Sequence, residues 1–481
     1  MNSTIDNSTE SETTQSDQII SLYEAQEKVY SRSISGPLTK WRWIMVWLTQ
    51  LFFYGMPWIQ WGERQALLFN LESKQFFIYG FVFYPQDLIY LTLLLIISAL
   101  SLFLFTAVAG RLWCGYTCPQ TVYTEIFMWV ETKIEGDRAA RMKLDDGTMS
   151  SKKLTKKTSK HFVWAAIALW TGFTFVGYFT PIRELLVDAL NFSVSGWNTF
   201  WILFYGLATY GNAGFLREQV CKYMCPYARF QSVMFDDDTL TVTYDEARGE
   251  PRGRRSRKEA ALVESKSIGA CIECTFCVQV CPTGIDIREG MQIECIGCGA
   301  CADACDSVMD KMNYPRGLIK YSTVNGTDGH WSKKQMLTRI FRPRVLIYTA
   351  VLWLLIAGVA TSLYYRDDFR VNVARDRGLA RLDGSMVKNV YRLQIMNATE
   401  VAQNYQISAK GLNDMVVGMK SGGSGSNQSV LVNPAEMKSF AVSLKVPDGT
   451  AESGSHKISF VVKMLGNDDE VTEESTFLVP R

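Results

Sequence analysis

Histidine is scarce in this chain: His161, His330 and His456 are the whole complement of its 481 residues. A membrane quinol enzyme built on b-type haem needs axial histidines inside its spans. No long apolar segment here has one in its interior, which excludes intramembrane bis-histidine haem. Cysteine is missing before Cys114 and after Cys305, although twelve lie between those limits. A disulfide-stapled secreted chain would spread its thiols more evenly, so the pattern reads as a metal-binding middle in a reducing compartment. The net charge of +2 lacks the basic excess of a nucleic-acid binder. The opening stretch has no basic residue, only Ser, Thr and Asn with Asp6, Glu10, Glu12 and Asp17. A secretory leader starts positive and turns apolar at once; this composition predicts a disordered tail.

What is present begins with five apolar segments near the length of about 20 residues that a membrane span requires. They are roughly Trp41–Trp61, Leu88–Ala109, Phe162–Thr180, Trp197–Gly214 and Val345–Tyr365, with Trp and Tyr crowding their ends as interfacial anchors do. Phe76–Tyr84 is too short to cross and is expected to lie at the interface. Lys and Arg crowd the loop between the second and third segments (Arg138, Arg141, Lys143, Lys152, Lys153, Lys156, Lys157, Lys160) and are rare in the flanking loops, which hold Arg64, Lys74 and Arg183. Positive loops stay inside, so the N-terminus and the cysteine-rich segment are expected in the cytoplasm and the C-terminus outside.

Beyond Tyr365 the pattern changes to period-two alternation, as in Tyr391–Ile395, Phe440–Val446 and Lys457–Met464, with turns at Gly422–Gly425 and Asp448-Gly449. Short alternating strands of this kind predict an immunoglobulin-like β-sandwich. The expected organisation is a multi-domain membrane protein. Residues 1–35 form a polar tail, and 36–215 hold the first four transmembrane helices. Residues 216–340 form a cytoplasmic segment with a ferredoxin-like unit at about 262–315, 341–366 a fifth helix, and 367–481 an exported sandwich.

The strongest chemical signal is a doubled C-x2-C-x2-C-x3-C run: Cys271, Cys274, Cys277 and Cys281-Pro282, then Cys295, Cys298, Cys301 and Cys305 followed by Asp306. A [4Fe–4S] cube needs four thiolates, and in two-cluster ferredoxins the fourth cysteine of each run ligates the other cube. Cys271, Cys274, Cys277 and Cys305 are therefore assigned to one cluster, and Cys295, Cys298, Cys301 and Cys281 to the other. Structural zinc takes C-x2-C pairs more often than quartets. A second repeat is Cys114-Gly115-Tyr116-Thr117-Cys118-Pro119 and Cys221-Lys222-Tyr223-Met224-Cys225-Pro226, each directly after an apolar segment. Cysteines four apart share one face of a helical turn, so Cys114, Cys118, Cys221 and Cys225 can converge on one site. Soft sulfur selects Cu(I), zinc or iron–sulfur, and Met224 is a candidate thioether. The bland alternative is that these are packing cysteines. Other features read as structural or solvated: the basic run Arg248–Lys258, the acidic Asp236-Asp237-Asp238, and the unligating His161 and His330.

At these residues the chain resembles the CcoG/FixG/RdxA family of polyferredoxins, accessory proteins of cbb3-type cytochrome c oxidase. The resemblance is carried by Gly110–Pro119, Val220–Arg229, Cys281–Arg288 and Asp310–Gly317, and runs from about Ser33 to the C-terminus. It implies a bacterial inner-membrane cupric reductase that supplies Cu(I) for oxidase assembly. Two [4Fe–4S] clusters would supply the electrons, and Cys114, Cys118, Cys221 and Cys225 would be the catalytic copper site. The partners implied are oxidase assembly factors, copper chaperones or transporters and an unnamed electron donor, without nucleic acid; a homodimer is compatible. Two other readings stand beside it. One is a quinol dehydrogenase resembling the NapH-like membrane ferredoxins; the other is a redox-sensing assembly scaffold.

Overall fold

The computed structural model describes residues 28–255, 268–329, 331–376, 381–383, 386–419, 422–424, 428–466 and 469–480. The expected disorder of the opening residues, His330 and the end of the basic run at Arg257-Lys258 fall outside these. Residues 28–35, assigned above to the tail, are docked instead: Lys28 and Tyr30 both reach Asp145, and Ser33 bonds Asp137.

Each of the five apolar segments contains a helix, though the first, expected to reach Trp61, ends at Gly55 and gives way to a short 3-10 turn and the strand Gln60–Trp61. Pro37–Gly55 carries a helix-compatible Pro at its start, and Leu88–Ala109 ends on Gly110 at positive φ, which an L side chain rarely adopts. Ser151–Val176 is capped by Ser150, Gly196–Gly211 by Ser195, and the last runs from Pro343 to Tyr364. Among the described residues two helices, Pro85–Ala109 and Pro343–Tyr364, are long and apolar enough to cross a membrane. The fourth segment is shorter than expected, at 16 residues. Below it the chain continues in widened turns with i→i+5 bonds, Arg217 N to Asn212 O and Cys225 N to Val220 O, both 2.8 Å. Such turns admit an extra residue and re-aim side chains, which is why they collect at functional sites.

Small residues set the helix crossings. A Cβ on Gly172 would stand 2.3 Å from the Ile202 carbonyl oxygen, so glycine alone lets the third and fourth helices meet this closely. The second and fifth helices lie side by side, joined by Tyr90 to Ser362 at 2.8 Å.

Phe76–Tyr84, expected at the membrane interface, is part of a small folded sheet just ahead of the second apolar helix. Leu67–Asn70, Gln75–Ile78 and Phe81–Phe83 form a three-stranded antiparallel sheet. Its Leu68, Phe77, Val82 and Tyr84 pack with Met396 of the C-terminal domain, which gives the apolar run a protein partner. That domain is a sandwich of a six-stranded and a four-stranded antiparallel sheet. Phe369, Tyr391, Tyr405, Phe460 and Phe477 fill its core, as alternation along Met386–Asn397 and Gly454–Met464 requires. Asn397 is buried, and its amide donates to the carbonyls of Val401 and Asn433. The Asn397-Ala398-Thr399 sequence is thus a structural turn.

Opposite ends of the two apolar helices carry different domains. At the start of one and the end of the other, Asp87 pairs with Arg366 at 2.7 Å and Arg370 at 2.9 Å, beside the sandwich. At the other end, Arg342 bonds the Ala107 carbonyl and Asp236, beside the cysteine-rich unit.

Candidate iron–sulfur and thiol site

Strands Thr241–Tyr244 and Ile319–Ser322 pair antiparallel and close the cysteine-rich unit from outside the span expected for it. The first quartet sits on a loop whose tightness needs Glu273 and Thr275 at positive φ, leading into the helix Phe276–Val280. In the second, Gly297 and Gly299 take positive φ and feed the helix Ala300–Met312, which carries Cys301 and Cys305. A Cβ on Gly297 would press on the Arg111 carbonyl at 3.1 Å, so this loop is held close against the end of the second apolar helix.

The thiols surround two small hollows. Cys271, Cys274, Cys277 and Cys305 line one; Cys281, Cys295, Cys298 and Cys301 line the other, with Cys277 on their shared wall. All twelve cysteines are free thiols. Among the described residues no three His, Cys, Asp or Glu side chains converge tightly enough to hold a single ion. A ring of sulfurs around a hollow suits an inorganic cube rather than zinc, whose four ligands close to about 2.3 Å from one centre. Burial pushes Cys277 up to about 11 and Cys295 and Cys305 up to about 12, with neighbouring thiols adding to the rise at Cys305. These sulfurs are protonated without a cation and must shed protons to bind one. The residues therefore fit two [4Fe–4S] clusters, held by those two sets of four.

Cys114 and Cys221 lie against the second hollow. Both pack on the cluster of Ile296, Cys298, Ala300 and Ala304, and Cys221 shares a cavity with Pro282, Thr283 and Ile296. Burial pushes Cys114 up to about 11 and Cys221 up to about 12, and the charges of Cys118 and Cys225 add to both shifts. The two C-x3-C turns therefore sense each other across the helix ends, without closing into a single-ion site. Cys114 Sγ donates to Gln231 at 3.4 Å, while Met224 is exposed.

Two expectations need correction. Asp236 and Asp238 are not merely solvated: Arg342, Arg344 and Asn325 bond them. Within the basic run, Arg248 bonds the carbonyls of Pro315 and Arg316, and Arg255 bonds Tyr314 and Gly269, so these two brace the unit. Sequence reasoning also missed Arg111, whose partners lie more than a hundred residues away and leave no local pattern. His161 bonds Tyr210 at 2.9 Å.

Thiol quartets around two cavities define an iron–sulfur, oxidoreductase-like electron-transfer protein. Family models agree: a 4Fe–4S dicluster domain matches residues 216–324, a 4Fe–4S binding domain matches 91–135, and the IG-like fold at the C-terminal of FixG matches 359–480. The nitrogen fixation protein FixG of Rhizobium meliloti is 35% identical over 95% of this chain and 94% of its own. Protein RdxA of Cereibacter sphaeroides is 38% identical over 81% of this chain and 84% of its own. The chain belongs to the FixG/RdxA family. A crystal structure of a FixG-related protein from Vibrio parahaemolyticus aligns at 31% identity and a TM-score of 0.21, over 24% of this chain and 97% of that one.

Proposed function

We propose that the protein is a multi-pass inner-membrane cupric reductase, which turns Cu(II) into Cu(I) for the assembly of a cbb3-type oxidase. The observation that carries this reading is the packing of Cys114 and Cys221 on the wall of the second cluster cavity. In this arrangement the five helices span the membrane, the thiols face the cytoplasm and the sandwich faces the periplasm. The positions of the sandwich and the cysteine-rich unit at opposite ends of the two apolar helices support that orientation, as does the basic loop after the second.

Copper is the substrate. Cys114, Cys118, Cys221 and Cys225 bind it and lose protons as they do so; soft thiolates stabilise Cu(I) over Cu(II) and so favour uptake of one electron. Clusters held in the two cavities supply single electrons. The absence of a closed single-ion site suits a metal that must leave. Gln231 orients the Cys114 thiol, and the widened turn at Val220–Met224 aims Cys221 inward. The test is Cys221→Ser with Cys225→Ser: cupric reduction should vanish while the cluster EPR signals persist, and retained reduction would sink the reading.

A second reading has one observation behind it. The 4Fe–4S binding model covers Cys114 and Cys118, which would make the four thiols ligands of a third cluster. Iron analysis separates the two, at about eight against about twelve irons per chain.

A further inference from the structure

Three arginines stand near the cluster cavities, and they differ in whether a carboxylate cancels them. Arg288 lines the first cavity and is forked onto Asp286, with its closest contact at 2.5 Å. Arg42 acts on Cys298 beside the second cavity and is paired with Glu125 at 2.6 Å. Arg111 is buried, lies over the Phe235 ring at 5.9 Å, and makes its hydrogen bonds to carbonyls alone. Its Nη1 donates to the oxygens of Ile293 and Cys295, and its Nη2 to Ala228 at 2.5 Å. Among the described residues no carboxylate lies within ion-pair distance of it. Glu294 acts on it only through space, as do the thiols of Cys114, Cys295 and Cys221.

Those partners place one uncancelled positive charge at a junction. Arg111 lies three residues before Cys114, holds the backbone on which Cys295 sits, and ties down the helix Pro226–Met234 that directly follows Cys225. A buried charge acts over several ångströms because little water screens it. It favours whichever redox state of its neighbour is more negative, and net charge and hydrogen bonding are the terms that set iron–sulfur potentials.

We propose that Arg111 is a positioning residue that makes the second cavity the resting place of the electron, downhill from the first and against the C-x3-C thiols. The first cavity, whose arginine is neutralised by Asp286, becomes the entry side. This inference rests on clusters filling the two cavities and not on copper being the substrate.

The experiment is a potentiometric EPR titration of the full-length protein, with the two signals assigned by Cys274→Ser, which leaves only the second quartet complete. Arg111→Gln is expected to lower the midpoint of the second-cavity cluster and leave the first unmoved. Arg111→Lys keeps the charge and should stay close to wild type. Unchanged midpoints in Arg111→Gln, an equal fall in both clusters, or a fall in Arg111→Lys as large as in Arg111→Gln would overturn the proposal. If Arg111→Gln does not load iron, Asp286→Asn tests the same asymmetry from the other side. Freeing Arg288 should raise the first cluster and narrow the gap, and an unaltered gap overturns the proposal equally. No copper assay enters, so the outcome is independent of the cupric reading.

Discussion

Gly115 lies directly against the backbone of Cys298: a Cβ on Gly115 would stand 2.9 Å from the Cys298 Cα and 2.8 Å from the Gly297 carbonyl oxygen. Glycine is required there by close approach, since two backbones meet where a methyl group has no room. Gly115→Ala is expected to force the first C-x3-C turn off the second cluster loop, with an overpacking cost of about 1–3 kcal/mol. Thermal unfolding and cupric reduction measured together check this. An alanine variant with native melting temperature and native turnover would show that the two loops part without consequence.

Iron content tests the division of the quartets. Wild-type protein prepared without oxygen should hold about eight irons per chain, and Cys274→Ser and Cys298→Ser about four each. Loss of all iron in both variants would mean that neither cavity fills without the other.

Glu131 is buried among three cations: Arg141 at 2.9 Å, Arg217 at 3.1 Å and Lys160 at 3.4 Å. Glu131→Ala strands Arg141 and Arg217, while Lys160 keeps Glu135 at 2.9 Å; breaking a buried network of this kind costs about 3–5 kcal/mol. Arg217 leads from this network towards Cys221, so copper reduction should fall along with stability. A melting temperature within error of wild type would contradict the prediction.

The same network fixes a pH dependence. Burial alone would raise the Glu131 carboxyl, but Arg217, Lys160 and Arg141 outweigh it and hold the group below the usual carboxylate range. A carboxyl depressed in the folded state adds stability that is fully present above its unfolded value and lost as pH falls through the folded one. The stability that Glu131 contributes should therefore start to fall as pH drops through the ordinary carboxylate range and keep falling below it, and Glu131→Gln should lose that part of the slope, as chemical denaturation across pH 3–6 would read.

Asp87 makes the clasp at the sandwich end, accepting from the Tyr84 backbone as well as facing Arg366 and Arg370. Asp87→Asn should loosen the three-stranded sheet from the sandwich, with cleavage by added protease rising around Arg366 while the iron content stays native. Unaltered proteolysis would show that the apolar contacts through Tyr84 and Met396 suffice alone.

How far the sequence could be read depended on the reach of each interaction. The thiol quartets are local, because C-x2-C spacing brings sulfurs together within one turn of chain, and that signal needs no partner. Alternation along Phe440–Val446 is likewise local, and so is the apolar length of Leu88–Ala109. The sheet Leu67–Phe83 was illegible as a sheet because its packing partners Met396 and Met437 lie more than three hundred residues on. Asp236 looked like solvated loop until Arg342 closed on it from the start of the last helix. Arg111 was invisible for the same reason, since its hydrogen-bond partners are backbone carbonyls and carbonyls carry no sequence signature.

The first helix hangs from the cluster unit. Asp303, on the helix that carries Cys301 and Cys305, accepts bonds from the Leu38 and Thr39 amides and from the Thr39 hydroxyl. Any shift of the cysteine-bearing helix is therefore passed straight to the beginning of the first apolar helix, while Arg42 to Glu125 and Tyr54 to Thr171 anchor the rest of that helix elsewhere.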